Sequence, residues 1–96
     1  MVNKADITLE QNQLQMSGEL DFWNVMSIYK KSLSLLEASP ELHFDFSRLK
    51  ASDSAGLALI VEWIKLGKQL NKPVRFTHLS EDMMSIAKAA GIDGML

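Results

Sequence analysis

The residues best placed to do chemistry are Ser52, Asp53 and Ser54. They lie in the run from Phe46 to Gly67, FSRLKASDSAGLALIVEWIKLG. An apolar strand ending at Phe46 hands over through a polar loop to a very apolar helix that begins near Ser54. Three small polar side chains at that point can accept hydrogen bonds from the free first amides of the helix. Asp53 also complements the partial positive charge of the helix start. Ser54 has no neighbouring histidine or lysine in the sequence to serve as its base. Gly56 stands alone, with no GKS/T after it, so there is no phosphate cradle. His43 alternates with core residues along a strand and belongs on a bare sheet face. His78 sits in the turn before the last helix. Neither has a carboxylate or a second histidine at metal-ligand spacing. Glu81 and Asp82 are helix-start residues rather than an acid/base pair. No catalytic, metal or cofactor set is expected. Ser54 therefore has two readings. It is a helix-start hydroxyl, worth about 1 kcal/mol if it caps, or an exposed acceptor whose phosphorylation would add about −1.5 to −2 charges. A partner pressed against the helix start would have to desolvate that phosphate, and binding would be lost.

Composition narrows the classes. The chain has 96 residues, 47% of them apolar, and no cysteine. One domain over residues 1–96 is expected, long enough to bury roughly 60–70% of its unfolded surface without covalent staples. Disulfides and cysteine-based zinc are excluded. A net charge of −2 with no basic block gives no sign of nucleic acid or of an anionic membrane surface as a partner. The N-terminus lacks a signal-like apolar run, and the apolar run from Ala55 to Val61 is far too short to span a bilayer. A cytoplasmic location is expected, with any membrane role reached through a partner.

The elements that must position these residues follow from periodicity. Ile7 and Leu9, a Gln11-Asn12 turn, then Leu14 and Met16 read as a hairpin closed by Gly18. Asp21 is the expected N-cap of a first helix over Phe22 to Glu37. Its apolar stripe is Phe22, Val25, Met26, Tyr29, Leu33 and Leu36, with Ser27, Lys30, Lys31 and Ser34 opposite. Trp23 projects near that polar side, either tucked over a loop or presented to a partner. Leu42, Phe44 and Phe46 form a third strand. Helix two runs to about Leu70 and stops at Asn71-Lys72-Pro73. Val74 and Phe76 mark a fourth strand, parallel to the third. Ser80 caps helix three, whose stripe is Met83, Met84, Ala87 and Ala90, with Gly91 as its stop. The fold class is α/β with α+β character: a four-stranded mixed sheet with about three helices mainly on one face, order β-β-α-β-α-β-α. At about 100° per residue, Leu57, Ile60, Ile64 and Gly67 face the sheet from helix two. Ala55, Ala58, Glu62, Lys65 and Gln69 face away, with Leu59 and Leu66 beside them. The small apolar start of that outer stripe is either covered by the domain itself or docks another surface. Ile92, Met95 and Leu96 likewise either pack on the domain or are offered to a partner.

The run S-G-E-L-D from Ser17 to Asp21, a helix, then D-F-S-R-L-K-A-S-D-S-A-G-L-A-L from Asp45 to Leu59 resembles the STAS domain family. That family includes the anti-sigma-factor antagonists and the cytosolic tails of sulfate transporters. The resemblance covers nearly the whole chain and implies the STAS fold. In the antagonists, the serine directly after the aspartate of the motif is phosphorylated by a partner kinase, and Ser54 holds that position. Ala55 stands where many antagonists have a second hydroxyl. The chain's brevity and the D-x-S-R-L run at Asp45, Ser47, Arg48 and Leu49 are most similar to the small STAS subunits of Mla-type ABC phospholipid transporters. That resemblance implies a non-catalytic accessory subunit that binds the cytosolic ATPase, with the permease in the same complex, and supports outer-membrane lipid asymmetry. The alternative it implies is an antagonist with a serine kinase and anti-sigma factor as partner, switched at Ser54. The expected partner-binding residues are Trp23, Asp53, Ser54, Ala55, Ala58, Leu59 and Glu62. Neither nucleic-acid binding nor direct membrane insertion is expected.

Overall fold

A computed structural model describes residues 4–96. Strands β1 (Ala5–Glu10) and β2 (Gln13–Leu20) pair antiparallel through a two-residue turn. Gln11 and Asn12 both take positive φ, 52° and 63°, the left-handed pair that matches the twist of a hairpin. Helix α1 (Val25–Glu37) then leads to β3 (Leu42–Ser52), α2 (Ser54–Leu70) to β4 (Val74–Thr77), and α3 (Glu81–Ala89) to a short 3-10 turn over Asp93–Met95. The sheet order is β1-β2-β3-β4, with β2, β3 and β4 parallel. The expected element order and mixed sheet are observed.

Core residues come from one face of the sheet. Ile7, Leu14, Met16, Leu42, Phe44 and Phe46 are all buried there, beneath Ile28 and Leu36 of α1, Leu57 and Ile60 of α2 and Met83 of α3. Helix α1 lies over β1, α2 over β3 and β4, and α3 beside α2. Trp63 of α2 is buried and stacks on Phe44, ring centroids 4.1 Å apart. Its indole N–H donates to the buried Ser32 hydroxyl of α1 at 3.0 Å, which in turn donates to the Tyr29 carbonyl.

Several boundaries differ from the sequence reading. Strand β3 does not end at Phe46 but runs on to Ser52, and two register shifts against β2 break its alternation. Gly18 does not close the hairpin strand, which continues to Leu20. It takes φ 82°, and a Cβ there would sit 2.1 Å from the Lys4 carbonyl oxygen, so only glycine fits. Helix α1 starts at Val25 rather than Phe22. Asp21 instead closes the preceding turn, accepting from the amides of Trp23 and Asn24 at 2.8 and 3.0 Å. Asn71 ends α2 in the left-handed conformation, and Ser80 caps α3 by accepting from the Met83 amide, both as expected. Ala90 is exposed and Met84 only half-buried, so α3 buries a narrower stripe than its sequence suggested. Ile92 and Leu96 pack against the core, while the Met95 side chain lies outside the described residues.

Candidate functional site

The junction of β3 and α2 is built around Asp53. One carboxylate oxygen accepts from the Ala55 amide at 2.8 Å, which caps the helix. The other accepts from the Phe22 amide at 3.3 Å, and the Asp53 amide donates to the Leu20 carbonyl. Asp53 therefore ties the start of α2 to the turn that precedes α1. Of the three polar side chains at this junction, Asp53 alone caps. The Ser52 hydroxyl donates to the Asp53 carbonyl instead, and Ser54 stands exposed in the first turn. Gly56 explains the tight approach: a Cβ there would meet Ser52 Oγ at 1.9 Å and Ser52 Cβ at 3.1 Å.

From this junction a groove of about 780 Å³ runs between α1 and α2. Asp53, Ser54, Ala55, Ala58 and Glu62 line its α2 side, as the sequence grouped them. Phe22, Val25, Met26 and Tyr29 line the other. Leu59 also reaches the groove, but it is only 4% exposed and belongs to its floor, packed into the core, rather than to an exposed edge. Trp23 does not line the groove. It stands beside it on the 21–24 turn, 77% exposed, its ring edge-to-face with Phe22 at 5.4 Å. It is exposed, not tucked over a loop.

The groove's α1 wall was misread in part. Of the expected stripe, Phe22, Met26 and Leu33 face outward, whereas Leu36 is buried and Val25 and Tyr29 pack partly buried against the core. Phe22 is 70% and Met26 61% exposed. The buried face is Ile28, Ser32 and Leu36. Ser32 lies on that buried face. Its partner is the indole of Trp63 on another helix, a contact that spacing along one helix cannot reveal. The groove thus sets exposed apolar side chains of the 21–24 turn and α1 against small residues at the start of α2.

The opposite face of the sheet carries a polar network. Asp45 points away from the core yet is buried, accepting from the Ser47 amide and pairing with His78 Nδ1, each at 2.9 Å. Folding thus supplies His78 with the carboxylate that the sequence spacing lacked. Burial works to raise the Asp45 pKa, but hydrogen bonds from the Ser47 amide, His78, the Ser47 side chain and Gln15 together outweigh it and hold the carboxyl below its usual value. His43 Nδ1 meets an Arg75 guanidinium nitrogen at 3.1 Å. Arginine has only donors, so Nδ1 accepts and Nε2–H donates to Thr77 Oγ1 at 2.9 Å. Burial, and then the Arg75 charge, push the His43 pKa down. Among the described residues no group of three or more histidine or acidic side chains is placed to hold a metal, and no helix is long and apolar enough to cross a membrane.

The family model described as "Mlab, STAS domain" matches residues 3–96. No curated protein is similar enough in sequence to match. Among solved structures, the anti-sigma factor antagonist SpoIIAA in its unphosphorylated form is similar at TM-score 0.65 and 20% identity, over 97% of this chain and 84% of that one. Mglu is similar at TM-score 0.58 and 13% identity, over 78% of this chain but only 19% of its own length. At these identities the two structures speak to the fold alone.

Proposed function

The chain belongs to the STAS domain family, and we propose that it works there as a non-catalytic accessory subunit that binds the cytosolic ATPase of an ABC phospholipid transporter. In this reading the α1–α2 groove is the grip. The domain supports the ATPase, in a complex that also holds the permease, and so contributes to outer-membrane lipid asymmetry. It sits in the cytoplasm and reaches the inner membrane only through its partner. The observation that carries the reading is the outward apolar stripe of α1 set against the small residues Ala55 and Ala58 at the start of α2. The MlaB-type description of the matching family supports the choice of partner. The test is co-purification from the native cells. The tagged domain should bring down the ATPase, and Ala58→Arg should abolish this without unfolding the domain, because Ala58 is exposed. Retention of the ATPase at full strength by Ala58→Arg would place the grip elsewhere.

A second reading is favoured by one observation, the exposure of the Ser54 hydroxyl on the rim of the same groove. The domain would then act as an antagonist of an anti-sigma factor, released when a serine kinase phosphorylates Ser54. Mass spectrometry of protein from native cells discriminates. This reading expects stoichiometric phosphate on Ser54 under some growth condition, and its absence under all of them counts against it.

A further inference from the structure

The groove also constrains the form of its occupant, on the reading that it is a docking face. Its walls are two helices whose backbone groups bond within each helix, and Asp53 already takes the Ala55 amide at the α2 start. An extended segment laid between them would bury its own N–H and C=O groups without partners. A helix arrives with those groups already satisfied.

Charge sharpens the match. The ionised side chains lining the groove are two carboxylates, Asp53 at one end and Glu62 at the other; neither Lys nor Arg lines it. Glu62 is held only loosely, by Lys65 on its own helix at 3.5 Å with both side chains more than half exposed, so it is free to re-pair. Nine residues separate the two acids, about 13 Å along α2 at 1.5 Å per residue. An anionic lipid surface would be repelled by this rim, although Phe22, Trp23 and Met26 are apolar enough to enter one.

We propose that the occupant is an amphipathic helix of the partner, with apolar side chains in the groove and a basic residue at each end, about two and a half turns apart, facing Asp53 and Glu62. Trp23 reports on occupancy through its ring contact with Phe22, which lines the groove, and it is exposed while Trp63 is buried. The experiment titrates the intact domain with three stapled helical peptides of about four turns. One has a leucine stripe bracketed by arginines, one the same stripe bracketed by glutamates, and one the arginine sequence scrambled. Vesicles of phosphatidylethanolamine and phosphatidylglycerol form a fourth arm.

The arginine peptide should shift Trp23 emission to the blue and bind at least about tenfold tighter than the glutamate peptide, with the gap closing in high salt. Glu62→Lys should invert the preference. Equal binding of the two stripes, equal binding of the scramble, no binding by any peptide, or a shift with vesicles alone would overturn the proposal. Its failure is separable from failure of the docking reading. If Ala58→Arg releases the ATPase while the peptides show no charge preference, the docking face stands and the basic-ended helix falls. If Ala58→Arg keeps the ATPase, the docking face itself falls.

Discussion

Asp53 does more than cap a helix, because its second oxygen holds the amide of Phe22. Asp53→Ala should cost about 1–2 kcal/mol, read as a lower denaturant midpoint, and should also loosen the turn that presents Phe22 and Trp23. Asp53→Asn should recover most of the loss, since its amide oxygen still accepts from Ala55. The polar face gives a second prediction at this scale. His43 has a folded pKa below its usual 6.5. The unfolded chain therefore binds the proton more readily, and stability should fall as pH drops through that value. Asp45, held below 3.8, contributes stability above that pH and loses it as pH falls through its folded value. Asp6, whose carboxyl is lowered chiefly by its bond to Lys31, acts in the same direction. Urea titrations across pH should show two declines, and His43→Gln should remove the first while Asp45→Asn blunts the second. The Ser52-Asp53-Ser54 cluster was visible in sequence as a helix start. That Asp45 would meet His78 was not, because residues 33 apart become neighbours only when β3 and the end of β4 lie side by side.

At the scale of elements, helix two and the order of strands were legible because a cap, a stop and an apolar stripe all agree. Helix one was legible as a helix but only in part in its orientation. Of its expected stripe, Met26 and Leu33 face solvent, while Leu36 joins Ile28 in the core and Val25 and Tyr29 pack against it. The deciding contact is the Ser32 hydroxyl on the Trp63 indole. Trp63→Phe should keep the stack on Phe44 and cost about 1 kcal/mol for the lost hydrogen bond, whereas Trp63→Ala should cost about 3–5 kcal/mol, measured by chemical denaturation. The extension of β3 to Ser52 was hidden for another reason. Its alternation is broken by two register shifts, and period-two reading stops at the first. Gly18 sits where the hairpin crosses the chain entering β1. Gly18→Ala should destabilise by about 1–3 kcal/mol, since both the positive φ and the Lys4 carbonyl oppose a side chain.

Seen whole, the described residues form a closed apolar interior, a largely self-paired polar sheet face and an open apolar groove. Much of the polar face pairs within itself, through Asp45–His78 and Arg75–His43–Thr77, although the buried Gln15 Oε1 beside Asp45 has no hydrogen-bond partner. The groove between α1 and α2 is different, with its largest hydrophobic side chains turned outward. The central claim is that another protein covers that groove. Hydrogen exchange on the complex with the ATPase, against the domain alone, tests it most directly. Added protection should fall on the segments 21–33 and 54–62, with the strands of the polar face unchanged. Protection on the polar sheet face or on α3, with those two segments exchanging as freely as in the isolated domain, would contradict it.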